Sequence, residues 1–444
     1  LDVTHRSGGY EWLDVYAKFY QMEISDLTIT VLKGDIETVE DLIDAIGANV
    51  TLDSEAAITA AKSAYDALSD EDKALVDADK VDALTAAIIK LNQLKHADLM
   101  ANLDTIYKTT GDFMATLGTP TVNSTGGEWM VIGLARSGRT VPAGYYDNVV
   151  EYVKAKADAN ERLHPAKVTD NARVILALTA IGKDVTNVGG HNLLKGLDNM
   201  DYVQTQDING PIFTLIALDS HNYPTMGDVT REKLIQVILD AQLPDGGWNL
   251  SGENADPDMT AMAIQALAPY YKTNETVKAA VDKALEALSA LQRTDGGFGS
   301  WGTVNSESCA QVIVALTALG IDPTADSRFV KNGHTVLDAL AGFYVTGGGF
   351  RHTAGGERND MATEQGYYAL AAYYRFLNGQ TRLYDMSDVA IQTGGTSGGD
   401  NSGNGTNNGG TPATGDTGVL VWVIALPAAL LAAAFILKRK EREA

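Results

Sequence analysis

IVALTALGID, from Ile313 to Asp322, is nearly repeated as ILALTAIGKD, from Ile175 to Asp184. Alanine and aliphatic residues run almost all round such a segment, so it predicts a buried helix, not an amphipathic surface one. Working outward, six segments align on a helical core that ends in leucine. They are GGEWMVIGL to Leu134, TDNARVILAL to Leu178, NGPIFTLIAL to Leu218, DMTAMAIQAL to Leu267, ESCAQVIVAL to Leu316 and MATEQGYYAL to Leu370. Their spacing of roughly 40–55 residues is the length of a helical hairpin. Amphipathic stretches at 99–117, 145–159, 190–203, 230–241, 276–291 and 328–343 alternate with them as outer helices. An open stack would leave two apolar end faces, so six inner and six outer helices predict a closed ring over 98–385.

A second repeat marks the loops. Gln242-Leu-Pro-Asp-Gly-Gly-Trp248, Gln292-Arg-Thr-Asp-Gly-Gly-Phe298 and Phe343-Tyr-Val-Thr-Gly-Gly-Gly-Phe350 each end an outer helix. Paired glycines permit left-handed turns, and the aromatic that follows can plug the seam between hairpins. This pattern, clear over the last three repeats, resembles the prenyltransferase/squalene-cyclase repeat of the terpenoid cyclase superfamily. The resemblance implies an α6/α6 toroid. It leaves function open, because that toroid hosts cyclases, zinc prenyltransferases, thioester domains and cobalamin carriers.

Each catalytic version has residues to test. Squalene-type cyclases carry Asp-x-Asp-Asp-Thr-Ala, whose middle Asp protonates an alkene or epoxide and must be kept protonated. Asp256-Pro257-Asp258-Met259-Thr260-Ala261 falls at the matching place, with Met259 for the third Asp. The resemblance implies Asp258 as acid beside Asp256; both also suit the start of a helix as caps. Protein prenyltransferases hold zinc through Asp-x-Cys and a later His. Glu307-Ser308-Cys309 occupies the first position, Thr363 and Glu364 lie near the second, and His352 is in the preceding loop. The metal reading is therefore Glu307 with Cys309 holding zinc, against Cys309 as a small buried apolar residue. Cys309-Ala310-Gln311 lacks the spacing of a thioester Cys-x-x-Gln.

Electrostatics favour a different ligand. The inner-helix starts supply Glu128, Asp170, Asp258, Glu307, Asp360 and Glu364, against Arg173 and the loop residues Arg351 and Arg358. A prenyl diphosphate needs a basic cradle. Aligned repeats would gather these acids at one mouth with Trp129, Trp248, Trp301, Tyr367 and Tyr368. Such a mouth suits a cation, a sugar, a neutral amphiphile or a corrinoid. Solvated helix caps would repeat in the same way.

The chain of 444 residues has 57 acidic and 34 basic side chains, a net charge of −23, and Cys309 as its one cysteine. The acidity excludes a phosphate-tracking nucleic-acid binder, and a lone cysteine excludes a disulfide framework. Ahead of the ring, 36–97 reads as a three-helix module. Its apolar faces are Val39/Leu42/Ile43/Ile46, Ile58/Ala61/Tyr65/Leu68 and Val81/Leu84/Ile88/Leu91, with Ser54 and Ser69 as N-caps. It resembles the helical spacers of Gram-positive surface proteins. Residues 1–34, with Leu27, Ile29 and Val31 in period two, read as the end of a truncated β domain.

Beyond the ring, 393–411 is a Gly/Ser/Asn-rich spacer whose composition predicts disorder. The apolar span 419–437, broken only by Pro427, is followed by a basic tail and predicts a transmembrane helix. Together with Pro412-Ala413-Thr414-Gly415-Asp416, residues 412–444 resemble a sortase sorting signal of the LPxTG kind. Cleavage would fall between Thr414 and Gly415, although Thr411 stands where the commonest form has Leu. A simple membrane tail anchor is the alternative. Both attach the chain to the cell envelope from outside. The leading expectation is a surface-anchored toroid that captures a small molecule or a host ligand. A cyclase- or prenyltransferase-like enzyme and a purely structural surface protein are the competitors.

Overall fold

The computed structural model describes residues 34–392. The β segment 1–34 (but for its last residue), the spacer, the sorting signal with Thr414 and Gly415, and the span 419–437 lie outside those residues. No helix among the described residues is long and apolar enough to cross a membrane. The chain divides into two compact units between Asp98 and Leu99.

The first unit holds α1 (Asp35–Ile46), α2 (Glu55–Ala67), α3 (Asp70–Lys73) and the start of α4 (Ala78–Met114). Val39, Ile43, Ala61, Leu68, Val76 and Leu84 form one core cluster and Ile58, Ala87 and Leu91 another, so the apolar stripes meet as their spacing requires. The Ser69 hydroxyl caps α3 by accepting the Asp72 N–H. Ser54 does not cap α2. Its hydroxyl accepts the Thr51 N–H and closes a 3-10 turn instead. The third helix also runs past residue 97 to Met114, because no proline interrupts 78–114 and its one glycine is Gly111.

The second unit is an α/α toroid. Its inner helices are α5 (Trp129–Arg136), α7 (Val168–Ala180), α9 (Asn209–Asp219), α11 (Pro257–Leu267), α13 (Ser306–Leu319) and α15 (Asp360–Leu377). Each packs on the next and α15 packs on α5, which closes the ring. The six leucines that align the repeats are all buried, as an inner wall demands. The outer layer consists of α4 from Leu99 onward, α6 (Tyr145–Lys156), α8 (Met200–Val203), α10 (Arg231–Asp240), α12 (Glu275–Leu291) and α14 (Val336–Gly342).

Two outer helices are less regular than their amphipathic pattern predicts. The third is a 3-10 turn, Leu193–Leu197, followed by the single turn α8. Gly196 lies so close to α7 that a Cβ there would sit 2.2 Å from the Asn171 amide. The sixth is cut short at its start, where Asn332 and Gly333 both take positive φ.

The repeated loops set the inner-helix starts. The Gln242 side-chain amide donates to Gly246 O and Ala280 O, and Gln292 donates likewise to Gly296 O and Phe329 O. Gly246 and Gly296 have φ of 95° and 81°, and a Cβ at Gly296 would meet Thr335 O at 2.2 Å. Trp248, Phe298 and Phe350 then turn fully into the wall. Two short hairpins follow, β1 (Gly299–Ser300) with β2 (Thr303–Val304), and β3 (Phe350–Arg351) with β4 (Arg358–Asn359). Asp256, Asn305 and Asn359 cap α11, α13 and α15 with their side chains.

Candidate functional site

Most inner-helix residues are buried, so the accessible ones define the opening. Near the helix starts, Asp170 and Arg173 on α7, Asp258 and Met262 on α11, Glu307 and Gln311 on α13, and Met361 and Gln365 on α15 keep contact with solvent. Spacings of three and four residues put each pair on one helix face. Below them, Gln265 donates to both Gln311 O and Gln311 Oε1 at 3.0 Å, and Gln311 Nε2 donates to Gln365 Oε1 at 3.0 Å and to Tyr368 Oη at 2.6 Å. Trp129 lies 5.9 Å from the rings of both Phe213 and Tyr368. Helices α5 and α9 are not neighbours in the ring, so this aromatic contact reaches across the lumen. Toward the other end, Leu383 and Tyr384 line a cavity of about 30 Å³ together with Ile216, Gln265 and Val314. The mouth at the inner-helix starts, hereafter the cup, thus has acids at its lip with amides and aromatic rings behind them.

Asp256 and Asp258 take different parts. Asp256 Oδ1 accepts the N–H groups of Asp258 and Met259 at 3.0 Å, and its other oxygen takes the Ser300 hydroxyl. Both of its oxygens are thus engaged in capping α11 and in tying down the first hairpin. Asp258 Oδ1 is buried with no partner. Burial pushes its carboxyl up to about 6, the negative charge of Asp256 and Glu307 adds to this, and the nearby Ser308 hydroxyl and His352 oppose it. Glu307 accepts from the Ser306 hydroxyl at 2.9 Å and pairs with His352 Nδ1 at 2.8 Å.

Several expected lip residues stand elsewhere. Glu128 is wholly buried inside the wall, 3.4 Å from both the Tyr145 hydroxyl and Arg173 Nε; burial lifts it to about 6 against the pull of Arg173. Glu364 is also in the wall, accepting the Gly126 N–H at 2.7 Å through one oxygen while the other has no partner. Burial pushes it up to about 8, so it is a neutral acid at pH 7. Trp248 is a seam plug whose indole N–H donates to Ile238 O. Trp301 projects from the tip of the first hairpin, 88 % exposed. Asp360 is exposed at the first turn of α15. Tyr367 faces away from the lumen, stacked on Tyr107 and donating to Ser137 Oγ, because adjacent residues on a helix point about 100° apart and Tyr368 takes the inward direction. Trp129, Asp170, Arg173, Asp258 and Glu307 remain at the cup, with Arg173 bonded to Asp170 at 3.0 Å.

The zinc reading does not fit. Glu307 and Cys309 are two residues apart on α13 and project about 200° apart, one to the lip and the other into the wall. Burial pushes the Cys309 thiol up to about 12, which keeps it protonated. Among the described residues no group of three or more His, Cys, Asp or Glu side chains is placed to hold a metal. Sequence reasoning overlooked Gln265, Gln311, Gln365, Met262 and Phe213. The available signal was a glutamine inside each of three otherwise apolar helix cores, a polar group that a filled wall has no reason to keep.

Residues 191–357 match the prenyltransferase alpha-alpha toroid domain. The match runs from the third outer segment to the loop before α15, less than half of the chain. Among solved structures, the chain is similar to an ent-copalyl diphosphate synthase from Streptomyces platensis, at 17 % identity and a TM-score of 0.39, covering 78 % of this chain and 86 % of that one. No curated protein matches the chain.

Proposed function

We propose that the cup is a receptor site for a cationic or uncharged small molecule that hydrogen-bonds to its carboxylates and amides and rests on its aromatic rings. The observation that carries this reading is the unpartnered Asp258 oxygen above the Gln265–Gln311–Gln365 belt. The Ser308 hydroxyl lies beside this carboxyl without a well-formed hydrogen bond to that oxygen, which leaves the acceptor able to take a ligand donor. Trp129 and Tyr368 offer π faces to a cation or a sugar ring. Of the basic side chains described at the lip, Arg173 is held by Asp170 and His352 is paired with Glu307, which argues against a diphosphate.

A second reading rests on the same carboxyl. Asp258, its carboxyl pushed up to about 6 near an aromatic cluster, would serve as the acid of a terpene-cyclase-like enzyme acting on a neutral isoprenoid, a chemistry that the toroid fold can host. Trp129 packed against Phe213 and Tyr368 leaves that reading little room for a folded polyene. Calorimetry with tetraethylammonium, a neutral sugar and farnesol, joined to product analysis with farnesol and squalene, separates the two. Binding without product, weakened in Asp258→Asn, supports the receptor. Cyclised product that disappears in Asp258→Asn supports the enzyme, and neither outcome overturns both.

Residues 412–444 support an envelope-attached location, through sortase joining at Thr414 or through a tail anchor. Fractionation of expressing cells before and after muralytic digestion tests this, with release of the chain on digestion expected for the sortase route.

A further inference from the structure

We propose that a cavity beside α6 and α8 binds a small organic oxyanion with Arg162 as its charged anchor. The cavity measures about 380 Å³ and opens where the last turn of α6 meets the loop leading into α7. That volume lies in the range of small-molecule sites. In a chain of net charge −23, its lining is unusual: Lys156 and Arg162 face a single acid, Asp158.

Arg162 decides the case. Every other described arginine donates a hydrogen bond or joins an ion pair through its side chain. Arg162 does neither among the described residues, and its Nε is buried without a partner. Its guanidinium lies 4.1 Å from the centroid of the Tyr202 ring, and the Tyr202 hydroxyl is itself tied to His164 O. Stacking thus fixes the planar fork before any ligand arrives, which lowers the entropy lost on binding. Asp158 is not its counter-ion, because Asp158 Oδ1 accepts the backbone N–H groups of Asn160 and Arg162 at 2.8 and 3.0 Å.

The rest of the lining fits the same ligand. His164 Nδ1 accepts the Ala166 N–H at 3.1 Å, so its ring proton is on Nε2, a further donor. Tyr152 and the buried Leu163 add an apolar wall. A carboxylate or phosphate on a small apolar body would meet the guanidinium through two parallel hydrogen bonds, with Lys156 as a second charge.

Calorimetric titration of the full chain with benzoate, phenyl phosphate and benzamide tests the site. Both anions should bind while benzamide does not, and their ranking distinguishes a carboxylate site from a phosphomonoester site. Arg162→Gln should weaken anion binding by about tenfold or more, and Lys156→Gln by about threefold. Lys156 is exposed, so its variant keeps the parent fold. Asp158→Asn keeps an oxygen for the two N–H groups, removes the repelling charge, and should tighten binding about threefold. Equal binding of benzamide, absence of binding by either anion, or anion affinities that ignore all three substitutions would overturn the proposal.

Discussion

Taking the protein from pH 7 to pH 5 titrates Asp258, and the two readings of the cup then move in opposite directions. With its carboxyl pushed up to about 6, Asp258 is about nine-tenths ionised at pH 7 and about one-tenth ionised at pH 5. Tetraethylammonium drawn to the carboxylate therefore binds up to about ninefold more weakly at pH 5, a loss of about 1.3 kcal/mol. Acid catalysis follows the protonated fraction, so turnover of a neutral isoprenoid rises by about the same factor. The assay is calorimetry and product formation from pH 4.5 to 8, on the parent chain and on Asp258→Asn. The variant should flatten whichever slope the parent shows. A flat parent profile, or a slope that survives in Asp258→Asn, would refute the placing of Asp258 at the centre of the site.

Further tests address the frame around the cup. Asp388 bridges Arg136 Nη1 at 2.7 Å and Arg375 Nη2 at 2.6 Å, on two guanidiniums that are nearly buried, while the carboxylate itself is 38 % exposed. Asp388→Asn should cost about 2–3 kcal/mol in urea unfolding, the lower end for a broken buried pair because of that exposure. Burial raises the Asp388 carboxyl, but the two arginines outweigh it and hold it below the usual range. Its contribution is therefore present above about pH 4 and lost as pH falls through the folded value, so parent and variant should converge in acid. Glu364 acts with the opposite sign: raised to about 8, it lowers stability by about 1.4 kcal/mol per pH unit between roughly 4.5 and 8. Glu364→Gln should remove that slope, as read from melting temperatures across the range. Trp301, with φ of 54° before Gly302 at 78°, occupies a turn position that favours asparagine. Trp301→Asn should stabilise the fold by up to about 1 kcal/mol in the same urea assay.

The ring was legible because its signal is periodic and chemically plain. Leucine-ended greasy cores and Gly-Gly-aromatic loops leave few other ways to bury so much apolar surface. Outer helices were less legible: Gly196 and the Asn332–Gly333 step answer to close tertiary approach, which a hydrophobic stripe does not record. The cup was half legible. An acid at a helix start looks the same whether it ends at a lip, as Glu307 does, or in a wall, as Glu364 does, because a one-residue change of helical phase decides between them. Aromatic residues misled for a related reason. Trp248 follows the paired glycines of its loop and fills the seam, whereas Trp301 is itself a turn residue of the first hairpin and stands in water. The glutamine belt was visible as three polar residues in apolar cores, but its meaning depends on three helices that are distant in the sequence.

The contact of α15 with α5 joins residues more than 220 positions apart. Until the last repeat is made, the growing arc presents two raw flanks to whatever is near it, and nothing shorter can finish the circle. A nascent chain halted before α15 therefore leaves both flanks of the arc uncovered, and the ring closes only in one late step.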